Sequence, residues 1–330
     1  MFGRVTGRLT PVSQAERDHL AALPADPAAH DAAMAALPAF REVETGPLQP
    51  PLARFRLRCA TWNIERGLFP ADSADLLLAQ DAELVLLSEV DVGLSRTGQR
   101  HTIAELAARL GCGYAFGLEF LELAVMPVPV GLPPGEPHNA LGFHGNGILS
   151  RLPFEQPVVI HLPREADWFI APRNGEKRIG GRMALAAIVH SGASRLVACS
   201  VHLESDTDHA GRARQMAALL DALDAYAPGL PVLIGGDLNT AVGPAALDDP
   251  REVLIAQAAA RGYDWNASNV PGPSTRPSLW SPGAADRHLD WFCTRGLSPS
   301  DPGMVPAVAP GGQVLSDHDI VVLTVAPPPA

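Results

Sequence analysis

Several polar residues stand at the ends of apolar runs, where a protein core has no need of them. Asn63 follows CATW, Glu89 closes ELVLLSE, His202 closes LVACSVH, and Asp237 and Asn239 end VLIGGDLN. Asp290 sits in LDWF, and Asp317 and His318 precede DIVVLTV. Gathered at one edge, they would make an oxygen-rich pocket with two imidazoles and no thiolate. Asn, Glu and Asp oxygens suit a hard divalent cation such as Mg²⁺ or Mn²⁺ better than zinc. Two histidines beside them suit proton transfer near neutral pH. Taken singly these residues carry little: an aspartate in LDWF is ordinarily a turn or a satisfied carboxylate, and Asn63 and Asn146 are ordinary turn formers. Glu89 is harder to set aside, because a carboxylate closing a run of Leu and Val is costly to bury unless paired or bound to metal.

The elements that must position them are short strands. ELVLLSEV, YAFGLEFLEL, GNGILS, MALAAIVH, RLVACSVHL, PVLIGGDL, LDWFCT and DIVVLTV are apolar, often β-branched, and bounded by Gly, Pro, Asp or Ser. Helical spacing fills 72–80, 100–110, 208–226 and 250–261, as in Ala213, Met216, Ala217, Leu220 and Leu223. Strands outnumber helices without alternating regularly with them, which argues against a doubly wound sheet or a barrel of βα units. The expected fold is α/β: a four-layer α/β/β/α sandwich of two mixed β-sheets flanked by helices. Ahead of it, Ser13-Gln-Ala-Glu16 and Asp26-Pro27 carry helix-start signals, and Pro38 to Pro51 reads as a connector. Residues 1–52 are therefore expected to be a helical extension and linker, and residues 53–330 the catalytic domain.

The chain has 330 residues, 47% of them hydrophobic and only 18% charged, so it has ample material for a core. A formal net charge of −11 repels phosphate backbones and removes the simplest case for a nucleic-acid coat protein, while leaving room for a local cationic or metal-bearing cleft. The four cysteines lack any C-x-x-C spacing and read as reduced core residues. With no apolar leader and no transmembrane run, the expected location is cytoplasmic.

TWNIERG at 61–67, LLSEV at 86–90, GNGILSR at 145–151, SVHLES at 200–205, GGDLN at 235–239, HLDWF at 288–292 and SDHD at 316–319 occur in one order along most of the chain. In these motifs the sequence resembles the endonuclease/exonuclease/phosphatase superfamily, which includes nucleases and phosphatases. The resemblance implies Glu89 as principal metal ligand, Glu65 as an acidic second ligand, and Asn63 and Asp317 in the metal or phosphate environment. It implies His318 as general base oriented by Asp290, and His202 at the leaving-group oxygen. Asp237 and Asn239, two apart on an extended backbone, would orient water and phosphate, with Asn146 near the phosphate. The implied chemistry is in-line attack of a metal-organised water on phosphorus, without a covalent enzyme intermediate.

Arg96, Arg100 and His101 follow the Glu89 strand, and Arg164, Arg173, Lys177, Arg178 and Arg182 cluster before another. Arg96 and Arg182 are candidates to clamp a substrate phosphate. The remaining histidines, His144 among them, read as structural or surface groups. The stretch 121–143 sets Val125, Met126, Val128, Val130 and Leu132 among prolines. It reads as a buried strap packed on the domain or a dimer contact, with an apolar lip for a lipid or hydrophobic ester as the alternative. The substrate expected is a phosphodiester, either a small molecule or lipid headgroup or a nucleic acid. A non-catalytic scaffold would have lost part of the acid–base set, and all of it is present.

Overall fold

The computed structural model describes residues 1, 3–47, 56–132, 134–173, 175–240 and 250–326. In chain order these form β1 (Arg4–Thr6), α1 (Gln14–Ala21), α2 (Pro27–Ala36), β2 (Glu42–Thr45), β3 (Leu57–Arg66), α3 (Pro70–Ala79), β4 (Leu84–Val92), α4 (Thr102–Leu110), β5 (Gly113–Glu122), β6 (Phe143–Ser150) and β7 (Phe154–His161). There follow β8 (Arg178–Gly180), β9 (Met183–Ser191), β10 (Ser194–His202), α5 (His209–Tyr226), β11 (Val232–Asp237), α6 (Val253–Ala260), β12 (Asp290–Arg295), β13 (Ser298–Val305) and β14 (Ile320–Ala326).

Side-chain alternation along the central strands sets the layering. Cys59, Leu84 and Leu86 face the second sheet, whereas Ala60, Trp62, Val85 and Leu87 face outward into a core shared with Ala74 and Leu77 of α3 and Ile103 and Leu106 of α4. The larger sheet runs β1-β2-β5-β6-β4-β3-β14-β13, with β8 also paired to β5; the smaller runs β12-β11-β10-β9-β7. Both are mixed, since β3/β4 and β10/β11 are parallel among antiparallel neighbours. The smaller sheet's outer face packs Cys199, Val201 and Ile234 against Met216 and Leu220 of α5 and Leu254 of α6. The result is the expected α/β/β/α sandwich with three apolar layers.

Both N-terminal helix starts form as the sequence indicates: Ser13 Oγ accepts from Glu16 N at 3.2 Å, and Asp26 Oδ1 from Ala29 N at 2.9 Å. The segment also contributes two strands, since β2 pairs with β5 and β1 with β2 at the edge of the larger sheet. The supposed connector thus contains β2, whose Glu42 and Glu44 are buried because Thr10, Leu9, His101 and Tyr114 bond to them. The end of that connector (48–51), the expected domain start at residue 53, and the tail 327–330 lie outside the described residues.

The N-terminal segment reaches further. Arg17 donates to the carbonyls of Asn139 and Leu141, His30 pairs with the backbone of Gly180, and Lys177 Nζ donates to Ala21 O at 2.6 Å. Asn139 pins one end of the stretch between β5 and β6 to Ser95 N. The apolar part of that stretch is not packed on the domain throughout: Val125 is 43% and Val130 98% exposed, while Met126, Val128 and Leu132 are half-buried. All four cysteines are free and buried, and burial pushes their thiols up, Cys112 to about 12. No helix among the described residues is long and apolar enough to cross a membrane.

Candidate active site

Strand register does most of the assembly on the smaller sheet. His202 on β10 is paired with Asp237 on β11, and Asp237 with Asp290 on β12, so one cross-strand row carries all three. Gly236 explains part of the GGDLN motif, since a Cβ there would lie 1.8 Å from Val201 O on the neighbouring strand. The parallel β10/β11 pair can close at this point only around glycine.

On the larger sheet the strand ends are bulged. The β3/β4 register shifts between Asn63 and Arg66, and the β4/β6 register between Leu87 and Val90. Glu65, Arg66 and Glu89 take φ of 45°, 73° and 54°, and Asn239 takes 49°. Half of the eight non-glycine residues with positive φ among the described residues are therefore at this site, a concentration of backbone strain of the kind that re-aims side chains.

Asn63 joins the two sheets. Its Nδ2 donates to Glu89 Oε1 and to Asp237 Oδ2, both at 3.1 Å, while its Oδ1 accepts from Glu65 N at 3.0 Å. Burial pushes the Glu89 carboxyl up, but the cations of Arg66, His202, His144 and His318 outweigh it and hold the group well below its ordinary value. Glu65 turns toward the 278–281 loop, taking Ser278 Oγ at 2.6 Å and Asp317 N at 3.1 Å. Burial, reinforced by the Asp317 charge, pushes it up to about 7. Asp317 is raised too, by burial and, despite the opposing His318, by Glu89.

His318 comes from the turn before β14, which is stitched to β3: Ser316 Oγ donates to Asn63 O at 2.7 Å, and Trp62 Nε1 to His318 O at 2.8 Å. Its Nδ1 lies 2.7 Å from Asp290 Oδ2, which also accepts from Ser274 Oγ at 2.7 Å. Its Nε2 lies 3.7 Å from Asp237 and 3.8 Å from Asp317. Burial disfavours the imidazolium, yet Asp290, Asp317 and Asp237 together raise His318 well above the usual histidine range. His202 Nε2 lies 3.7 Å from Asp237 on the other side, with Arg182 Nη1 2.8 Å from its Nδ1. Asp237 is raised by burial, with the two histidines opposing.

The other sequence-derived candidates fall at or behind this cleft. Asn239 does not continue an extended backbone beside Asp237; in its left-handed conformation it donates N–H to Asp237 Oδ1 and Nδ2 to Leu203 O, each at 2.9 Å. Asn146 is fully buried in the register gap opposite Glu89, bonded through Nδ2 to Met183 O at 3.0 Å with Oδ1 unpartnered. Arg182 is buried against Glu119 at 2.6 Å and Glu204 at 3.4 Å, and Arg96 makes a two-bond fork to Asp91 at 2.8 and 2.9 Å.

Sequence reasoning passed over Asp91, Glu119, Glu122, Glu204 and His144. His144 is neither at the surface nor alone: it is buried, with Nδ1 2.7 Å from Asp91 Oδ1 and its ring stacked on Phe120. The available signal was the pair of glutamates inside the otherwise apolar run YAFGLEFLEL, since carboxylates there need partners.

Several solved structures share this architecture. An endonuclease/exonuclease/phosphatase from Beutenbergia cavernae DSM 12333 is 24% identical, covering 83% of this chain and 72% of its own, with a TM-score of 0.58. The human Nocturnin catalytic domain with bound sulfate is 18% identical over 86% of this chain and 96% of its own, at 0.54. D. rerio TDP2 complexed with a single-strand DNA product is 17% identical over 82% and 99%, at 0.52. At these identities the likeness establishes the fold. No curated protein sequence matches the chain significantly. The family model described as Endonuclease/Exonuclease/phosphatase family matches residues 60–318, from Asn63 through His318 and most of the sequence, and the chain belongs to that family.

Proposed function

We propose that the protein is a divalent-metal-dependent phosphoesterase, a phosphodiesterase that cleaves a P–O bond by in-line attack of water. The observation that carries this reading is the row His202–Asp237–Asp290, with His318 bonded to Asp290 and Asn63 tying Asp237 to Glu89 across the two sheets.

The donor set fits a hard cation. Glu65, Glu89 and Asp317 are close enough to disfavour one another's charge, the side chains of Glu89 and Asp317 are 21% and 17% exposed, and all offer oxygen. Glu89 would hold Mg²⁺ or Mn²⁺ with Glu65 and Asp317 beside it, and Asn63 would fix the Glu89 carboxylate. When bound, the ion would supply positive charge where a phosphoryl oxygen gains negative charge. Asp237, Asp290 and His318 also place ligand atoms within 4.8 Å of one another. Because Asp290 Oδ2 is committed to the imidazole, Asp290 and His318 are assigned to proton transfer.

In its neutral form His318 takes the proton of the attacking water at Nε2, while Asp290 holds Nδ1–H, fixes the tautomer and favours the imidazolium that results. Asp237 and Asn239 orient the water and the phosphate. His202, backed by Arg182, stabilises or protonates the leaving oxygen, and Asn146 lies near the phosphate. Arg182 acts from behind His202.

Action on DNA or RNA is the second reading. It is favoured by two arginine–tryptophan stacks, Arg66 over Trp280 at 4.8 Å and Arg178 over Trp168 at 4.2 Å, of the kind that can grip a nucleotide chain. The net charge of −11 weighs against it.

The test is a Mg²⁺- or Mn²⁺-supplemented hydrolysis panel of DNA, RNA, bis-p-nitrophenyl phosphate, a monoester and lipid-headgroup diesters. His318→Ala and Glu89→Ala are expected to abolish turnover with the fold intact, and chelation to remove activity that either ion restores. Retained activity in either well-folded variant, or full activity in excess chelator, would sink the assignment.

A further inference from the structure

On the cleft wall beyond Glu89, three guanidinium groups from different elements converge on one carboxylate. Arg178 of β8 donates Nη2 to Glu176 Oε2 at 2.5 Å, and Arg66 Nη2 and Arg96 Nη1 lie 3.6 and 3.9 Å from Glu176 Oε1. Arg66 comes from the bulged end of β3, and Arg96 from the turn after β4.

The pocket offers more donors than Glu176 uses. Arg96 is 3% and Arg178 7% exposed, yet Arg96 Nη1, Arg178 Nε and Arg66 Nε have no hydrogen-bond partner among the described residues. Buried guanidinium N–H groups without acceptors are costly, and a native fold retains them where an acceptor arrives. The three groups are also held in place. Asp91 forks Arg96, and Glu122 lies 3.5 Å from both Arg96 and Arg178 with neither of its oxygens hydrogen-bonded. Arg178 stacks on Trp168 and Phe120, and Arg66 on Trp280. Arg66 Nη1 is 3.6 Å from Glu89 Oε2, so the pocket borders the candidate metal glutamate directly.

We propose that Arg66, Arg96 and Arg178 form an anion subsite that receives a second phosphate group of the substrate, a phosphate monoester adjacent to the scissile phosphorus, and that Glu176 occupies it in the free protein. The proposal rests on the phosphoesterase reading for the position of the scissile phosphorus, though not for the existence of the anion site. A terminal phosphate carries nearly two charges and three strong acceptor oxygens, against one charge and two oxygens on Glu176. It would satisfy the N–H groups that Glu176 leaves idle. Glu176 lies two residues before β8 begins, so its side chain is not tied into the strand pairing of Arg178.

The first test is independent of turnover: calorimetric titration of the full chain with pyrophosphate, in chelator and at fixed ionic strength. Glu176→Ala and Glu176→Gln are expected to tighten binding by about tenfold or more, roughly one charge-assisted hydrogen bond. Adding Arg66→Gln at the partly exposed rim, or Arg178→Gln, to Glu176→Ala is expected to reverse the gain, with thermal unfolding confirming the fold. Binding no tighter than wild type in both Glu176 variants, or tightening that survives both arginine changes, overturns the proposal.

The second test compares kcat/KM for pTpT over TpT, and for a phosphorylated over an unphosphorylated glycerophosphoglycerol. A ratio rising about tenfold on Glu176→Ala in one pair supports the subsite and identifies whether its phosphate belongs to a nucleotide or a lipid headgroup; unchanged ratios in both overturn it. If neither these pairs nor any substrate of the hydrolysis panel is turned over, the phosphoesterase reading fails, while the pyrophosphate titration still decides the anion site.

Discussion

The Asp290 carboxylate places both of its donors, Ser274 Oγ and His318 Nδ1, on one oxygen and leaves the buried Oδ1 without any. Asp290→Asn keeps the shape but removes the charge that steadies a protonated His318. We expect kcat to fall by about 10²–10⁴-fold with little change in thermal stability; a loss under threefold would remove Asp290 from the role of orienting His318. His288, two residues away, behaves oppositely. It is stacked on Trp291 with ring centroids 3.6 Å apart, and burial, only partly opposed by the Asp290 backbone, lowers it to about 4. The unfolded chain takes up a proton there below about pH 6.5 that the folded chain refuses until about pH 4. Stability therefore falls with pH across that window, by on the order of 3 kcal/mol at most. His288→Phe keeps the stack and removes the titration. Urea unfolding at pH 7 and 4.5 should show the variant losing less than wild type, and equal losses would refute the assignment.

At the scale of elements, the strands that position the chemistry were those most legible in the sequence, because β3, β4, β10, β11, β12 and β14 are apolar runs with a polar site residue in or beside one end. The strands missed are the ones whose sequence contradicts strand propensity. Pro157 lies in β7 and Pro299 and Pro302 in β13, which stand at sheet edges with register shifts, where a missing N–H is tolerated. In β2 the glutamates are buried by partners 35 or more residues away in some cases, such as Leu9 and Tyr114, and no local pattern announces them. Asn239 was misread for a related reason: the two-residue spacing assumed a strand that ends at Asp237. The glycines of GGDLN carry a sharper constraint. Gly236→Ala puts a methyl into Val201 O, and we expect a cost of about 3 kcal/mol. A denaturant midpoint within error of wild type would show that the β10/β11 pair can open without penalty.

Across the whole molecule, the N-terminal helices touch both flanks of the cleft, through Arg17 at 139–141 and through His30 and Lys177 at 177–180. Nothing in their local sequence points to those partners, which is why the extension read as separate. The four thiols are distributed in a way that has a use. Cys112 lies in the layer between the larger sheet and its helices, Cys59 between the sheets, and Cys199 and Cys293 between the smaller sheet and its helices. Each apolar layer thus carries its own chemical clock, silent while closed because a buried thiol reacts poorly. Mass-resolved alkylation in sub-denaturing urea should label all four at one rate if the sandwich opens as a unit, whereas faster labelling of one layer would locate the seam along which it first comes apart.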